Sequence, residues 1–537
     1  MLAAAALAAC NGGGNSPPAA TSSTASAAAT ESTEATAASQ AQEGEPPAAE
    51  GGAASAADEG GAAAEPSGQT AQATQEAQAG EELEPVTLRL FLREPAMPDD
   101  AMVAEYVSNL PEVKALNATI EFAKYPGWNE VHEKLPLLLA SDEPMDIGFD
   151  AGGSWTYVPH AQVHAYLDIT DMLDAVAPKL KAAIPDAFWE GARINDGRIY
   201  GVPTYKEIGE QPALWAEKEF LDKHGIDSGA IKSLGDAAAI LEALESEPER
   251  AKFMANKNYD FSMLDGAQYL YDVIGSMTWV SRGDGKTVTS WYMTPEYEAF
   301  VRKMREWYNK GWISSDVATR ETYNEYITEG AHLYGLSFTG YAPLQEIGNS
   351  SNYGKELVYM PVGPVKVTNN STRGSIFVIF RKSEHPERAL QFLEVWNTVP
   401  EVKNAIAFGL EGRHYNLVDG QVQAIEGSGD LYWCQNWTSG NNMISYTLVG
   451  EPKDKWQQYE AWNDTAVNSV CLGFTPDDSA ISDKLAACAA VVSEYHPLLE
   501  CGAIDPEENL PKFIQALKDA GVEDIIAEHQ LQFDAWK

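Results

Sequence analysis

Gly197-Arg198-Ile199-Tyr200-Gly201-Val202-Pro203 reads as a polar turn running into a short strand that a proline stops. An aromatic-rich strand follows in Leu214-Trp215-Ala216-Glu217-Lys218-Glu219-Phe220-Leu221, and Lys223-His224-Gly225-Ile226 closes the unit. Upstream, strand-like and helix-like segments alternate. Val86-Thr87-Leu88-Arg89-Leu90-Phe91-Leu92 is an alternating, β-prone run; Asp99 to Leu110 reads as a helix and Asn117 to Phe122 as a second strand. Trp128 to Ala140 is an amphipathic helix, and Asp146-Ile147-Gly148-Phe149 a short strand ending in the loop Asp150 to Trp155. Strands alternating with helices of this length predict an α/β fold, with parallel sheets covered by helices on both faces. Ligands of such sheets bind at the carboxyl ends of the strands, where Arg93-Glu94-Pro95 and Asp150 to Trp155 would lie.

Ahead of Pro85 the chain has a different character. Residues 11–85 hold no aromatic residue, no Lys or Arg, and one large aliphatic, Leu83. Such a segment cannot bury enough apolar surface to offset its ordering entropy, so it is expected to be disordered. As a flexible chain it would span roughly 50 Å. Leu7-Ala8-Ala9-Cys10 resembles the lipobox of bacterial lipoproteins, in which the signal segment is cut before the cysteine and the sulfur is lipidated. Residues 1–9 then read as a residual signal segment, without the basic start a signal peptide has, and 10–85 as a lipidated acidic tether.

The formal charge of −42 falls to −30 once the tether's twelve carboxylates are set aside. That balance, with no basic stripe, argues against nucleic acid. No apolar stretch approaches the roughly 20 residues that span a bilayer, so attachment would rest on lipid alone. Cys434, Cys471, Cys488 and Cys501 are even in number and cluster late in the chain, which permits two disulfides or simple buried thiols. Their spacing lacks a zinc knuckle. Residues 86–537 are too many for one core, so two or more lobes are expected.

The Tyr-Gly-Val-Pro turn, the aromatic strand and the Lys-x-Gly-Ile closure resemble the extracellular solute-binding proteins of ABC importers, sugar-binding type. Ala216-Glu217-Lys218 departs from that family's usual Tyr-Asn-Lys. Arg373-Gly374-Ser375-Ile376-Phe377-Val378-Ile379 and Ser383-Glu384-His385-Pro386-Glu387-Arg388-Ala389 resemble its return strand and the following helix, Leu390 to Trp396. Gly409 to Tyr415, Leu472-Gly473-Phe474, Ala520 to Ile526 and Glu528 to Phe533 resemble a subgroup with an extra C-terminal domain. The resemblance implies a two-lobed, periplasmic-binding-protein-like α/β fold with hinge strands and a helical C-terminal extension. It places 86–204 and 371–430 in the first lobe, and 205–370 and 431–537 in the second. It implies no enzyme and no cofactor, but a monomeric lipoprotein on the outer face of the bacterial cytoplasmic membrane. That protein would close on an oligosaccharide and deliver it to the transmembrane subunits of an ABC permease. A lipid-anchored glycoside hydrolase, or a binder of peptides or another non-sugar solute, is the alternative.

Sugar recognition needs aromatic faces for the C–H side of each ring and polar side chains for the hydroxyls. Trp155 follows Gly152-Gly153 in a strand-end loop; Tyr205 and Glu207 lie just past the hinge proline. Trp279 sits in the small-residue stretch Gly275-Ser276-Met277-Thr278, and Tyr341 ends the apolar run Leu333 to Phe338 after Gly340. Trp433 and Trp437, set among amides and glycines in 432–442, are the expected stacking platforms, with Arg93, Asp150 and Glu207 as polar contacts. Catalytic and metal motifs do not complete themselves. Pro136 stands where the helix motif begun by His132-Glu133 needs its second His. His160 and His164 lack a third ligand, Gly335 to Gly340 is not a nucleophile elbow, and Ser281 to Lys286 lacks calcium-loop spacing.

Overall fold

The computed structural model describes residues 83–537 except 142, 151–155, 248–266, 320–336, 341, 348–349 and 351–353. The first lobe is built on a five-stranded sheet of β1 (Val86–Leu92), β2 (Ala118–Lys124), β3 (Ile147–Asp150), β4 (Gly201–Pro203) and β5 (Ile376–Ile379), in the order β2-β1-β3-β5-β4. β1 pairs in parallel with β2, Leu90 opposite Phe122, and with β3, Leu90 opposite Ile147. Every residue of β3 and β5 is buried, as expected of central strands with helices on both faces.

The sheet is not all parallel. β5 runs antiparallel to both β3 and β4, with Val378 opposite Gly148 and Phe377 opposite Val202. The cause is topological. The chain leaves the first lobe after Pro203, builds much of the second lobe, and re-enters beside its exit, so exit and return strands run in opposite directions. The helices Asp100–Asn109, Pro386–Thr398 and Pro400–Phe408 belong to this lobe, whose core includes Val103, Leu390, Trp396 and Ile406.

The second lobe centres on Pro212–Glu217, flanked antiparallel by Ser337–Gly340 and Leu357–Pro361. Here too the expected parallel order gives way to antiparallel pairing. A separate sheet of Tyr271–Gly275, Thr278–Ser281 and Val288–Thr289 stands beside it. The helix Pro295–Asn309 and the C-terminal helices Ser482–Glu500, Pro506–Asp519 and Val522–Trp536 close the core around Phe300, Trp307, Phe513 and Ile525. His529 ties the last helix down, its Nδ1 2.6 Å from the Thr278 hydroxyl and its Nε2 2.9 Å from Asp478.

A three-stranded hinge sheet joins the lobes: Gly209–Glu210 pairs antiparallel with Lys366–Val367, which pairs in parallel with Val467–Asn468. Buried Asp272 anchors it by an ion pair with Lys366, while accepting from the Arg282 guanidinium at 3.0 Å and the Val470 N–H at 2.8 Å. One segment sits elsewhere than the sequence suggested. Tyr432 belongs to the first core and Cys434, Trp437 and Met443 pack against it, so 432–443 leans on the first lobe rather than the second.

All four described cysteines are free. Cys434 packs against the first core, Cys488 and Cys501 lie in the second, and Cys471 in a small cluster with Phe474 and Phe533. A pair of disulfides is therefore replaced by four separate thiols, three buried and Cys434 half-buried, and desolvation pushes Cys434 and Cys471 up to about 12. No described helix is long and apolar enough to cross a membrane.

Candidate binding site

β1 delivers its last residues to one end of the first-lobe sheet, and there the structure gathers several of the expected groups. Arg93 and Glu94 are both buried immediately after β1. The Arg93 guanidinium carbon lies 5.6 Å from the centroid of the Trp437 ring. Phe149, on β3, meets Trp437 edge-on at 6.1 Å and Phe377, on β5, at 5.7 Å. The indole N–H of Trp437 donates to the Gln435 side-chain oxygen. A half-buried indole with a cation over one side of its ring and amides along its loop brings together the groups that stack a sugar ring and bond its hydroxyls.

The loop carrying Trp437 is held from two sides by buried ionisable groups. Glu94 accepts from the Thr438 hydroxyl at 2.6 Å and the Gln435 N–H at 3.2 Å, and its other oxygen has no hydrogen-bond partner. Burial outweighs these bonds and the nearby Lys124 and Arg93, pushing the carboxyl up to about 7. Opposite, fully buried Lys403 donates to Asn436 Oδ1 and to the Ser439 hydroxyl, both at 2.6 Å. Burial pulls this amine down to about 7. Gly440, at φ +88, completes the turn; a Cβ there would stand 3.2 Å from the Asn397 side-chain oxygen and 3.3 Å from the Trp396 indole nitrogen.

The other expected residues scatter. Asp150 is buried and accepts from the Tyr166 hydroxyl at 2.7 Å and from Thr156, on the opposite side of β3 from the Phe149 ring. Tyr205 packs edge-on to Phe188 at 5.3 Å, and its carbonyl accepts from the Asn442 N–H at 2.8 Å, which ties the first crossing to the Trp437 loop. Glu207 pairs with Lys206 at 2.6 Å. Trp279 is a correction. It lies in a strand rather than a loop, is 8% exposed, and packs in the second core edge-on to Tyr292 at 5.7 Å. Trp433 is 37% exposed. Cys10, Trp155 and Tyr341 lie outside the described residues.

Glu94, Phe149 and Lys403 are the participants the sequence reading missed. Lys403 carried a signal: Val399, Lys403 and Ile406 share a helix face by spacing, so a lysine sat on an apolar stripe. His160 and His164 bond separate tyrosines, Tyr166 at 3.0 Å and Tyr200 at 3.1 Å, rather than facing a common ion. Among the described residues no cluster of His, Cys, Asp and Glu fits a metal ion.

The two-lobed frame crossed by hinge strands is matched by known proteins. A family profile described as bacterial extracellular solute-binding protein covers residues 102–410, more than half of the chain. The chain belongs to that family. Its description places the protein outside the cell. Residues 470–537 match a domain of unknown function, which coincides with the helical C-terminal region. A carbohydrate ABC transporter substrate-binding protein of Streptococcus pneumoniae serotype 4 is 25% identical over 431 residues, covering 76% of this chain and 83% of that one. Among solved structures, the N-glycan transport solute binding protein from Streptococcus pneumoniae superposes with a TM-score of 0.72 at 21% identity, covering 84% of this chain and 99% of the other. An extracellular solute-binding protein from Bifidobacterium longum subsp. infantis gives 0.58 at 17% identity, covering 84% and 98%. At these identities the structural likeness establishes the two-lobed fold.

Proposed function

We propose that this solute-binding protein captures an oligosaccharide between its two lobes and presents it to the membrane subunits of an ABC importer, without chemically altering it. The observation that carries the reading is the Trp437 ring, braced by Phe149, covered by Arg93 and set in an amide-rich loop at the carboxyl ends of the first-lobe strands. The relatives' names support the ligand class: carbohydrate transport in one, N-glycan transport in another. In this reading 86–204 and 371–430 form the first lobe, and 205–370 with the C-terminal helices the second. Closure about the hinge sheet signals loading, because a ligand with contacts in both lobes favours the closed state. Cys10 carries a lipid, and the acidic segment to residue 85 lets a monomeric receptor reach its permease.

The direct test is calorimetric titration of wild type and Trp437→Ala with oligosaccharides. The substitution should weaken binding at least about tenfold, as expected for losing a stacking platform worth over 1 kcal/mol, with the melting temperature little changed. Unchanged affinity would remove Trp437 from the site.

A further inference from the structure

Residues 411–469 fall between the two segments that match family profiles. They build a hollow of about 250 Å³ between the turn Asp419-Gly420-Gln421, the stretch Met443 to Thr447, and the start of the helix Lys455–Asn463. Pockets for drug-sized ligands run to roughly 300–1,000 Å³, so this one has room for a single ring-sized unit.

Its walls are fixed by groups already committed elsewhere. The Gln421 amide donates to the Thr447 hydroxyl at 3.0 Å and to the carbonyls of Leu448 and Glu451 at 2.9 Å each. Asn404 Oδ1 accepts the Tyr446 N–H at 2.7 Å, and the Ser445 hydroxyl donates to Asn436 Oδ1 at 3.1 Å. Beneath lies buried Trp456, packed against Met443 and edge-on to Tyr459 at 5.3 Å. A ligand entering here would meet a preformed wall, and the ordering entropy forfeited would fall mainly on the exposed side chains that close on it.

Besides the Trp456 indole N–H, which has no hydrogen-bond partner among the described residues, four other lining side chains are uncommitted. Among the described residues, the Asp419 carboxylate, the Tyr446 hydroxyl, the Lys453 ammonium and the Gln457 amide make no hydrogen bond or ion pair. Together they offer acceptors and donors in mixture, one negative charge against one positive, and an aromatic ring. One carboxylate is too few for a hard cation, which takes six or more oxygens. Balanced charge favours a neutral ligand, and mixed donors and acceptors suit one rich in hydroxyls.

We propose that this hollow is a second carbohydrate site, taking one neutral pyranose unit outside the Trp437 site. It goes beyond the transport reading, since neither Trp437, Arg93 nor Phe149 lines it, and only the Ser445–Asn436 hydrogen bond joins its wall to the Trp437 loop. The test uses the full chain labelled with 3-fluorotyrosine, with the Tyr446 resonance assigned through Tyr446→Phe. Methyl glycosides of glucose, galactose, mannose and N-acetylglucosamine are titrated while that resonance is followed by fluorine NMR. At least one should move it saturably, and Trp437→Ala should leave that titration unchanged. Lys453→Ala combined with Gln457→Ala, two exposed positions whose loss should spare the fold, should weaken it about tenfold, the worth of one or two hydrogen bonds. A resonance unmoved by all four glycosides, or a titration unaffected by the double substitution, would overturn the proposal. Because the probe is local to Tyr446, failure at the Trp437 site would not alter this result.

Discussion

Replacing Glu94 by Gln should change how stability responds to pH, in a direction the structure fixes. The carboxyl is 2% exposed and burial raises it from 4.5 to about 7. Unfolded, it ionises near 4.5; folded, it keeps its proton until about 7. The stability contributed by the neutral carboxyl is therefore complete below pH 4.5 and is lost progressively as pH climbs through about 7. The gap between the two values is worth about 3 kcal/mol. Gln keeps a neutral oxygen to accept from Thr438 and Gln435 but has no proton to lose, so the variant should gain on wild type across this window. Two lobes make a single unfolding free energy ill-defined, so the assay is the melting temperature of the same transition in both proteins from pH 4.5 to 8.5. At roughly 2–4 °C per kcal/mol for a domain of 150–250 residues, the variant's advantage should widen by several degrees with rising pH. A difference that stays constant across the range would refute the buried neutral carboxyl and the clamp built on it.

Lys403→Met should strip Asn436 and Ser439 of their donor, costing about 1–3 kcal/mol, and should red-shift the part of the emission that Trp437→Phe removes. Because burial holds this amine near 7, its stabilising neutral form is present above pH 10.5 and lost as pH falls through about 7. The penalty of Lys403→Met should thus be larger at pH 9 than at pH 6.5, as melting temperatures would record. Trp279→Ala should cost about 3–5 kcal/mol and lower the melting temperature with no selective effect on ligand affinity. Alkylation of the unfolded chain without reductant, read by peptide mass spectrometry, should modify Cys434, Cys471, Cys488 and Cys501 alike. Any pair protected until reduction would restore a disulfide.

Much of the fold was legible because local pattern and burial agree. Val86–Leu92 opens with the alternation of a strand and lies between β2 and β3, the helix at 100–109 follows its apolar spacing, and the Gly201-Val202-Pro203 strand ends at its proline. Strand direction was not legible. Whether Ile376–Ile379 runs with or against Ile147–Asp150 depends on where the chain re-enters after its excursion through the second lobe, which no local pattern encodes. Trp279 shows the same limit for side chains: small neighbours suggest a loop, yet they let a strand pack closely under an aromatic core. Trp437 was legible as a ring among amides. Its clamp was not: Glu94 looks like an ordinary surface charge, and although Lys403 sits on an apolar helix stripe, no local pattern says that the two close on one loop until tertiary packing buries them there.

The central claim, an oligosaccharide held between two lobes, is tested most directly by thermal shift of the intact protein against oligosaccharides, short peptides and amino acids. A ligand at a hundred times its dissociation constant adds about 2.7 kcal/mol, enough to raise the melting temperature by several degrees. The account predicts that rise for at least one oligosaccharide and for none of the peptides or amino acids. A rise with peptides or amino acids alone, or release of reducing ends from the oligosaccharide during the assay, would contradict it.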